Sequence, residues 1–444
     1  MDRHSPDALS AIGVPPAPRT LAETGLHESF VIALLLRHLF AGGDLRGGDL
    51  GTRLHLPLNV LEPVLAFLRA EKLIEVLRRG SFDADVIWGL TEAGKARAHD
   101  AMERCRYVGP APVTLADYCA RVQAQSQRTQ RIDAQGLRAA LGSAVIADAV
   151  LADVGAALNS DRALFLYGPP GTGKTYLAER FGSVLSGAIW VPHAVVVDGE
   201  VIQVFDPLTH HPIVQPAGGA SLERLSPDDA RWVRVRRPVT IVGGELTLEM
   251  LELQFEQVSR FYVAPPQMKS NNGMLVVDDL GRQRVTPREL MNRWIVPLSR
   301  HVDYLALHTG TKFVLPFDVK VVFSSNLSPE SLDDPAFARR LGYKLRLGAL
   351  QARDYRELIR QACARAGVGF DDAGADYLME ALHRRLRMPL YATIPYDVIS
   401  KLRDRAAFRG TEPVLDPEGL DWAWGAYFAS DMSTDDESTL DELR

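Results

Sequence analysis

One stretch of the chain has glycines, a lysine and a hydroxyl residue at the spacing that phosphate binding requires. Residues 168–175 are GPPGTGKT and match the pattern G-x-x-x-x-G-K-[ST]. Gly171 and Gly173 allow backbone conformations that a side chain would block, so consecutive N–H groups can point at phosphate oxygens. Lys174 would then contact the β- and γ-phosphates, and the Thr175 hydroxyl would bind Mg²⁺. The pattern therefore predicts a nucleoside triphosphate site.

The flanking sequence supplies the elements that this loop needs. Apolar residues 163–167 predict a short buried strand before the loop, and the residues from Tyr176 onward predict a helix after it. In this order the positive end of the helix dipole faces the phosphates. We expect ATP as the ligand and Mg²⁺ as its metal ion. The predicted nucleotide-binding residues are Gly168, Pro169, Pro170, Gly171, Thr172, Gly173, Lys174, Thr175 and Tyr176.

Two further apolar strands end in polar residues. Met274–Val277 is followed by Asp278 and Asp279, and residues 319–324 lead to Asn326. Taken alone, the acidic pair is also explained as two surface aspartates at a strand end. Asn326, in the string SNLSPE, is also explained as a turn-forming asparagine.

Together these segments resemble the AAA+ class of P-loop ATPases over residues 136–428. The resemblance implies an α/β fold, with a doubly wound parallel sheet as the P-loop NTPase core and a helical lid after it. It also implies that Asp278 supports Mg²⁺ together with Thr175, that Asp279 positions the attacking water, and that Asn326 is the sensor 1 residue. Members normally have Glu at the position of Asp279, which is one methylene shorter. This difference concerns the rate of hydrolysis more than nucleotide binding.

The string DPAFARRLGYKLRL carries the next part of the resemblance. At this distance from sensor 1, AAA+ proteins supply an arginine finger to the neighbouring subunit. Arg339 and Arg340 are the candidates, and we favour Arg340. The resemblance thus implies self-association, with a homo-hexamer as the expected assembly.

Two features bear on the branch of the family. Apolar runs flank Thr309-Gly310-Thr311 and predict a β-hairpin. A hairpin in this place is typical of the pre-sensor-1 hairpin branch. The core is also similar to MoxR-like and enhancer-binding ATPases. The GAFTGA loop with which enhancer-binding proteins touch sigma factor is absent from the sequence, so that function is rejected. In the lid, Tyr396 stands where many relatives have the sensor 2 arginine, so either the coupling of the lid to the γ-phosphate is weakened or another lid cation such as Arg387 substitutes.

The N-terminal part predicts three helices, two short strands and a closing helix. The expected helices cover Glu28–Phe40, Asp49–His55 and Leu58–Glu71, and the exit WGLTEAGKAR resembles the winged-helix family. Over residues 21–100, eleven acidic residues outnumber nine basic ones. Since DNA binding usually depends on several phosphate contacts, we favour a protein-docking role over DNA for this domain.

Composition sets the remaining limits. The 444 residues are 46% hydrophobic and 24% charged with a net charge of −6, which is typical of a soluble globular protein without general attraction to nucleic acid. Because no apolar run approaches ~20 residues, we expect no membrane insertion and a cytoplasmic location. The predicted domains are a disordered leader (1–22), a winged-helix domain (23–105), a linker (106–135), the AAA+ α/β core (136–350) with an inserted hairpin at about 194–206, the helical lid (351–428) and an acidic tail (429–444).

The leading hypothesis is a ring-forming ATPase that hydrolyses ATP and remodels an unidentified protein partner. The first alternative is a nucleotide-gated regulator that binds DNA through the winged helix. The second is a weakly hydrolysing, ATP-dependent scaffold, which Asp279 and Tyr396 suggest.

Overall fold

The structure is a computed structural model that describes residues 13, 15–80, 82–213, 228–332, 339 and 341–428. Its strands are Leu45–Arg46 (β1), Ile74–Arg78 (β2), Ile87–Leu90 (β3), Val113–Thr114 (β4), Ala163–Tyr167 (β5), Ala188–Pro192 (β6), Ala194–Val197 (β7), Glu200–Gln203 (β8), Trp232–Arg236 (β9), Val239–Val242 (β10), Gln254–Glu256 (β11), Phe261–Val263 (β12), Met274–Val277 (β13), Val302–Ala306 (β14), Lys312–Pro316 (β15), Lys320–Ser325 (β16) and Leu341–Arg346 (β17). Its α-helices are Glu28–Gly42 (α1), Gly47–Leu54 (α2), Leu58–Ala70 (α3), Glu92–Arg104 (α4), Leu115–Ala124 (α5), Ala134–Leu141 (α6), Asp148–Leu158 (α7), Lys174–Phe181 (α8), Pro266–Lys269 (α9), Pro287–Arg300 (α10), Ala352–Ala366 (α11), Asp372–Asp376 (α12), His383–Arg385 (α13), Ile394–Arg409 (α14) and Pro417–Phe428 (α15).

The centre of the molecule is a five-stranded parallel sheet in the order β10-β13-β16-β5-β17. Its inner strands are short apolar runs that are buried on both faces, as parallel strands require. Leu164 and Leu166 pack on one face with residues of α6, α7 and α8, whereas Phe165 packs on the other with Trp294 of α10. Helices therefore cover both faces, and the predicted α/β P-loop NTPase core is confirmed.

The N-terminal region has the three helices α1 to α3, a three-stranded antiparallel sheet in the order β1-β3-β2, and the closing helix α4. Leu34, Leu61, Leu65 and Trp88 belong to its shared core. The winged-helix assignment remains a prediction from the sequence.

Residues 106–135 do not form a linker. Part of this stretch becomes β4 and α5, and Val113, Tyr118 and Val122 enter a buried core. Here β4 is the edge of a second sheet in the order β11-β12-β8-β7-β4. The apolar side chains outweighed the turn and polar signals that had suggested a linker, because burial in tertiary contacts overrides local propensity.

Buried polar contacts also join the N-terminal region to the second sheet and its flanking segments. Arg231 and Asp229 form a buried ion pair (Nη2 to Oδ2, 2.7 Å), and Arg231 also donates to the carbonyls of Thr24 and Pro112. The backbone N–H of Ala111 donates to the carbonyl of Leu54 in α2. The N-terminal region is therefore packed firmly against this sheet.

Two hairpins lie where the sequence predicted them. β7 and β8 turn at Asp198 and Gly199, which both have positive φ values (51° and 79°) and therefore suit a tight hairpin. β14 and β15 pair in register on either side of Thr309 to Thr311. The tips touch each other, since the Thr311 hydroxyl donates to Asp198 at 2.9 Å.

The C-terminal helices form a separate core with Tyr355, Leu378, Ile399 and Trp424 at its centre. No described helix has both the length and the apolar character needed to cross a bilayer.

A leader and an acidic tail were predicted at the two ends of the chain. Residues 1–12 and 14 of the predicted leader and the acidic tail 429–444 lie outside the described residues. Part of the remaining leader has defined contacts: Pro16 bridges to Asp228, and the Arg19 carbonyl accepts from Asn59. These leader residues lie against α3 and the segment that precedes β9.

Candidate functional site

The predicted phosphate loop connects β5 to α8 and has the backbone that its glycines predict. Gly168, Gly171 and Gly173 have φ values of 140°, 80° and 85°, a range that favours glycine. A Cβ on Gly168 would lie 2.0 Å from the Leu347 carbonyl oxygen. Gly173 then caps α8, whose first residue is Lys174. The loop residues Pro169, Pro170 and Thr172 lie between these glycines, and Thr172 donates its hydroxyl to Pro169.

Lys174 is buried, with 6% of its surface exposed. Its Nζ donates to the carbonyls of Gly168 (3.0 Å) and Pro169 (2.8 Å). Burial lowers the pKa of Lys174, while the carboxylates of Asp279 and Asp278 act in the opposite direction. The ammonium group therefore lies at the loop, where it can exchange a carbonyl for a phosphate oxygen.

The Thr175 hydroxyl and the Asp278 carboxylate lie side by side. Thr175 Oγ1 is 2.9 Å from Oδ2 and 3.2 Å from Oδ1 of Asp278. These two residues are 103 positions apart in sequence, and the parallel sheet brings them together at its carboxyl edge. A hydroxyl and a carboxylate are oxygen ligands of the kind that Mg²⁺ prefers. The described part of the chain holds no group of three or more His, Cys, Asp or Glu residues that could bind a metal ion.

Asp279 has a different environment from Asp278. Its φ value is 49°, in the left-handed region, and its carboxylate lies 4.0 Å from the Arg282 guanidinium. Its side chain is 43% exposed, so water can reach it. The role of Asp279 in positioning that water remains a prediction.

Asn326 follows β16, the strand between β13 and β5. Because Ser325 pairs with Tyr167, the residue before Gly168, Asn326 lies at the carboxyl edge beside the loop. It is half-buried, and the preceding Ser325 hydroxyl donates to the Leu280 carbonyl at 2.6 Å. This bond ties the end of β16 to the turn after Asp279.

The two candidate finger residues precede β17. Arg340 lies outside the described residues, and Arg339 is exposed. Leu341 pairs with Ala163, the first residue of β5, so Arg339 lies near the amino edge of the sheet. About 15 Å of strand separates that edge from the phosphate loop of the same chain. Arg339 therefore lies at the edge of the sheet opposite its own phosphate loop.

A cavity of about 590 Å³ lies between the phosphate loop and the helical C-terminal domain. The loop contributes Thr172 and Gly173, and Tyr176 of α8 lines it one turn later. Tyr176 is partly exposed and stacks under Arg180, whose guanidinium lies 4.4 Å from the ring centroid. The size suits a nucleoside next to the phosphate site.

The C-terminal domain contacts the loop directly. Thr393, at the start of α14, donates to the Gly171 carbonyl from its backbone N–H (3.1 Å) and from its hydroxyl (3.3 Å). A threonine at this position normally caps its own helix, but no such bond is formed here. A Cβ on Gly171 would lie 2.8 Å from Thr393 Oγ1, so glycine is needed for this approach.

The expectations for the lid need one correction. Tyr396 does line the cavity, where its hydroxyl donates to Gln361 (3.3 Å) and burial raises its pKa. Arg387, however, lines a different groove, and its φ value is 48°. Arg365 of α11 and Arg180 of α8 are cations that line the cavity instead.

Sequence reasoning missed several residues of the site. Thr393 and Arg365 line the cavity from the C-terminal domain, and Ile146 lines it from the segment before α7. Gln283 donates to the Asp278 carbonyl (2.8 Å) and so shapes the acidic turn. The string Thr393-Ile-Pro signals a helix start, but nothing in the sequence marks its contact with Gly171.

Comparisons with known proteins describe the fold and one domain. A family model for a domain of unknown function (DUF8689) matches residues 351–426, the helical C-terminal domain. No curated protein sequence matches the chain.

Among solved structures, the chain is similar to NtrX from Brucella abortus in complex with ADP, with 14% identity and a TM-score of 0.41 over 68% of this chain. It spans 58% of the NtrX chain. It is also similar to RuvB from Thermotoga maritima, a Holliday junction branch migration motor, with 14% identity and a TM-score of 0.36 over 64% of this chain and 70% of that one. At these values the similarity concerns the fold alone.

Proposed function

We propose that the chain is a cytoplasmic AAA+ ATPase that hydrolyses ATP, assembles into a ring and remodels a protein partner. The observation that carries this proposal is the pairing of Thr175 with Asp278 beside the buried Lys174. The Thr175 hydroxyl, the Asp278 carboxylate and the Lys174 ammonium group meet at one edge of the parallel sheet. A cavity of about 590 Å³ lies next to them.

In this proposal each residue acts on the triphosphate. Lys174 and the loop N–H groups bind phosphate oxygens, and Thr175 with Asp278 would hold Mg²⁺, which neutralises charge on the β- and γ-phosphates. Asp279 and Asn326 orient water at the γ-phosphate. The positive groups are fixed before the reaction, which is how preorganised sites stabilise developing charge.

The position of Arg339 supports assembly. An arginine at the opposite edge of the sheet cannot complete its own site, whereas Arg339 or Arg340 of a neighbour can approach the γ-phosphate from outside. A cyclic arrangement satisfies every site equally, and a hexamer is the expected number.

The features of α3 support a protein partner over DNA. The side chain of Asn59, a residue type that reads base edges, donates to the Arg19 carbonyl at 2.7 Å. Farther along the exposed face are Glu62, Pro63 and Phe67, of which Phe67 is 44% exposed. This face is poor in positive charge, so duplex DNA should bind weakly and lose affinity steeply with salt.

The test is a capture experiment with the Asp279→Asn variant, which we expect to hold ATP and its partner. ATP-dependent recovery of one protein from a lysate, lost in Asp278→Asn, supports the remodelling function. A nanomolar, sequence-selective duplex complex at physiological salt would instead support the DNA-binding regulator. Parent protein that binds ATP with no measurable phosphate release would support the scaffold.

A further inference from the structure

The C-terminal domain carries a second groove, of about 600 Å³, that shares no lining residue with the nucleotide cavity. The start of α11 forms one wall, and the helical turns 379–387 form the other. The segment Met388–Leu390 forms the floor and continues into Thr393, which contacts Gly171. Nothing in the nucleotide chemistry uses this groove.

Positive charge lines the groove. Arg353 and Arg387 are exposed and form no ion pair with any residue of the described C-terminal domain. Arg356 and Arg384 also line it, although acidic neighbours partly neutralise them. The amino end of α11 opens at the same place without a side-chain cap, so its dipole adds to the attraction for anions.

The floor is apolar. Met379, Met388, Pro389 and Leu390 line it, and methionine side chains adapt to differently shaped partners. An occupant should therefore combine carboxylates with a few apolar side chains, as an acidic peptide does.

The backbone at the groove is also unusual. Residues Tyr377–Leu382 form a π-helical segment, a form often found at functional sites. Arg387 has a positive φ of 48°, which costs free energy in a residue with a side chain. Met379 and Glu380 of the π-helical segment and Arg387 all line the groove, so both irregularities lie at its surface.

We propose that residues 429–444 of the same chain bind in this groove. This segment, ASDMSTDDESTLDELR, has six acidic residues, one arginine, and the apolar residues Met432, Leu440 and Leu443. It follows α15 directly. Trp424, one turn before the end of α15, lies 4.9 Å from the ring of His383, which lines the groove. Sixteen residues can extend about 50 Å, more than enough to cover the groove.

The test uses the full chain with Met388 replaced by the photo-crosslinking amino acid p-benzoylphenylalanine. After irradiation we expect a crosslink from position 388 to a peptide within 429–444, in a band of monomer size. Arg353→Glu with Arg387→Glu should lower the yield about fivefold or more, because charge-assisted contacts are lost. Arg300→Glu with Arg409→Glu, two exposed arginines elsewhere, should leave it unchanged.

A second variant keeps the test independent of folding. Asp435→Asn, Asp436→Asn and Glu437→Gln together change only the segment beyond α15 and should lower the yield to the same extent. A crosslink to any other segment, a product of dimer size, or an unchanged yield in either charge variant would overturn the proposal. The experiment contains no nucleotide, so its outcome is independent of the ATPase proposal.

Discussion

At the residue scale, Lys174 should determine how tightly the protein binds ATP. Its ammonium group already makes two hydrogen bonds at the loop, and a charged hydrogen bond contributes about 1.5–3 kcal/mol. Lys174→Ala should therefore weaken ATP binding about 100-fold or more. Calorimetry on the folded variant measures this, with Lys312→Ala on the exposed hairpin strand as a control. Unchanged affinity in Lys174→Ala would refute the phosphate-loop assignment.

The two aspartates should differ in effect, because only Asp278 touches Thr175. Asp278→Asn should impair both Mg²⁺-dependent ATP binding and turnover. Asp279→Asn should retain binding, slow turnover and trap ATP, whereas Asp279→Glu should preserve turnover. Phosphate-release rates and retained nucleotide distinguish the variants, with exposed Asp100→Asn as the control. If Asp279→Asn hydrolyses ATP at the parent rate, Asp279 does not position the water.

The sequence predicted the loop and both aspartates because each depends on local pattern. GPPGTGKT permits few other structures, and the two aspartates directly follow a short apolar strand, although their roles came from the resemblance to AAA+ proteins. The sequence failed with Arg387, because no local pattern shows that this residue lines a groove other than the nucleotide cavity. Thr393 was missed for a related reason: its contact with Gly171 is 222 residues distant in sequence.

At the scale of elements, Thr393 links the start of α14 to the phosphate loop. Thr393→Ala removes one of its two hydrogen bonds to Gly171, and such a bond contributes about 1 kcal/mol. We expect ATP affinity to fall about fivefold and hydrogen exchange to rise at the start of α14. Thr411→Ala, an exposed threonine beyond the end of α14, should do neither. Equal exchange in Thr393→Ala and the parent would show that this bond does not couple the two elements.

The sequence predicted the elements that turn residues mark, and it failed to predict a strand that forms only through burial in tertiary contacts. The hairpin at Asp198-Gly199 was evident from its turn residues, both of which have positive φ values in the structure. β4 has only two residues, too few to show any period. Its place in the sheet depends on pairing with β7, which no local pattern encodes.

At the scale of the whole molecule, the second sheet connects the N-terminal region to the nucleotide-binding core. Buried Arg231 ties the N-terminal region to the sheet, and the contact between Thr311 and Asp198 ties the sheet to the β14-β15 hairpin. The hairpin leads into β16 and Asn326. Packed elements therefore connect the N-terminal region to the carboxyl edge of the parallel sheet, although the sequence had suggested a linker over residues 106–135.

The proposed assembly depends on the two edges of the parallel sheet. Lys174 lies at one edge and Arg339 near the other, so in the proposed ring a complete site takes its phosphate loop from one chain and its finger from the next. Arg339→Ala or Arg340→Ala, whichever removes the finger, should lower turnover about 10³-fold or more, as finger loss does in GTPases, and leave ATP binding intact. Lys174→Ala should also be inactive, because it keeps the finger but loses the lysine of the phosphate loop.

Mixed in equal amounts, the finger variant and Lys174→Ala should regain about a quarter of the parent activity. In a closed ring, random neighbours pair an intact loop with an intact finger at that frequency. Phosphate release against mixing ratio measures this, and mass photometry with ATP measures the assembly. Only monomers with ATP, together with a specific activity that does not change with protein concentration, would contradict the ring, because each chain would then complete its own site.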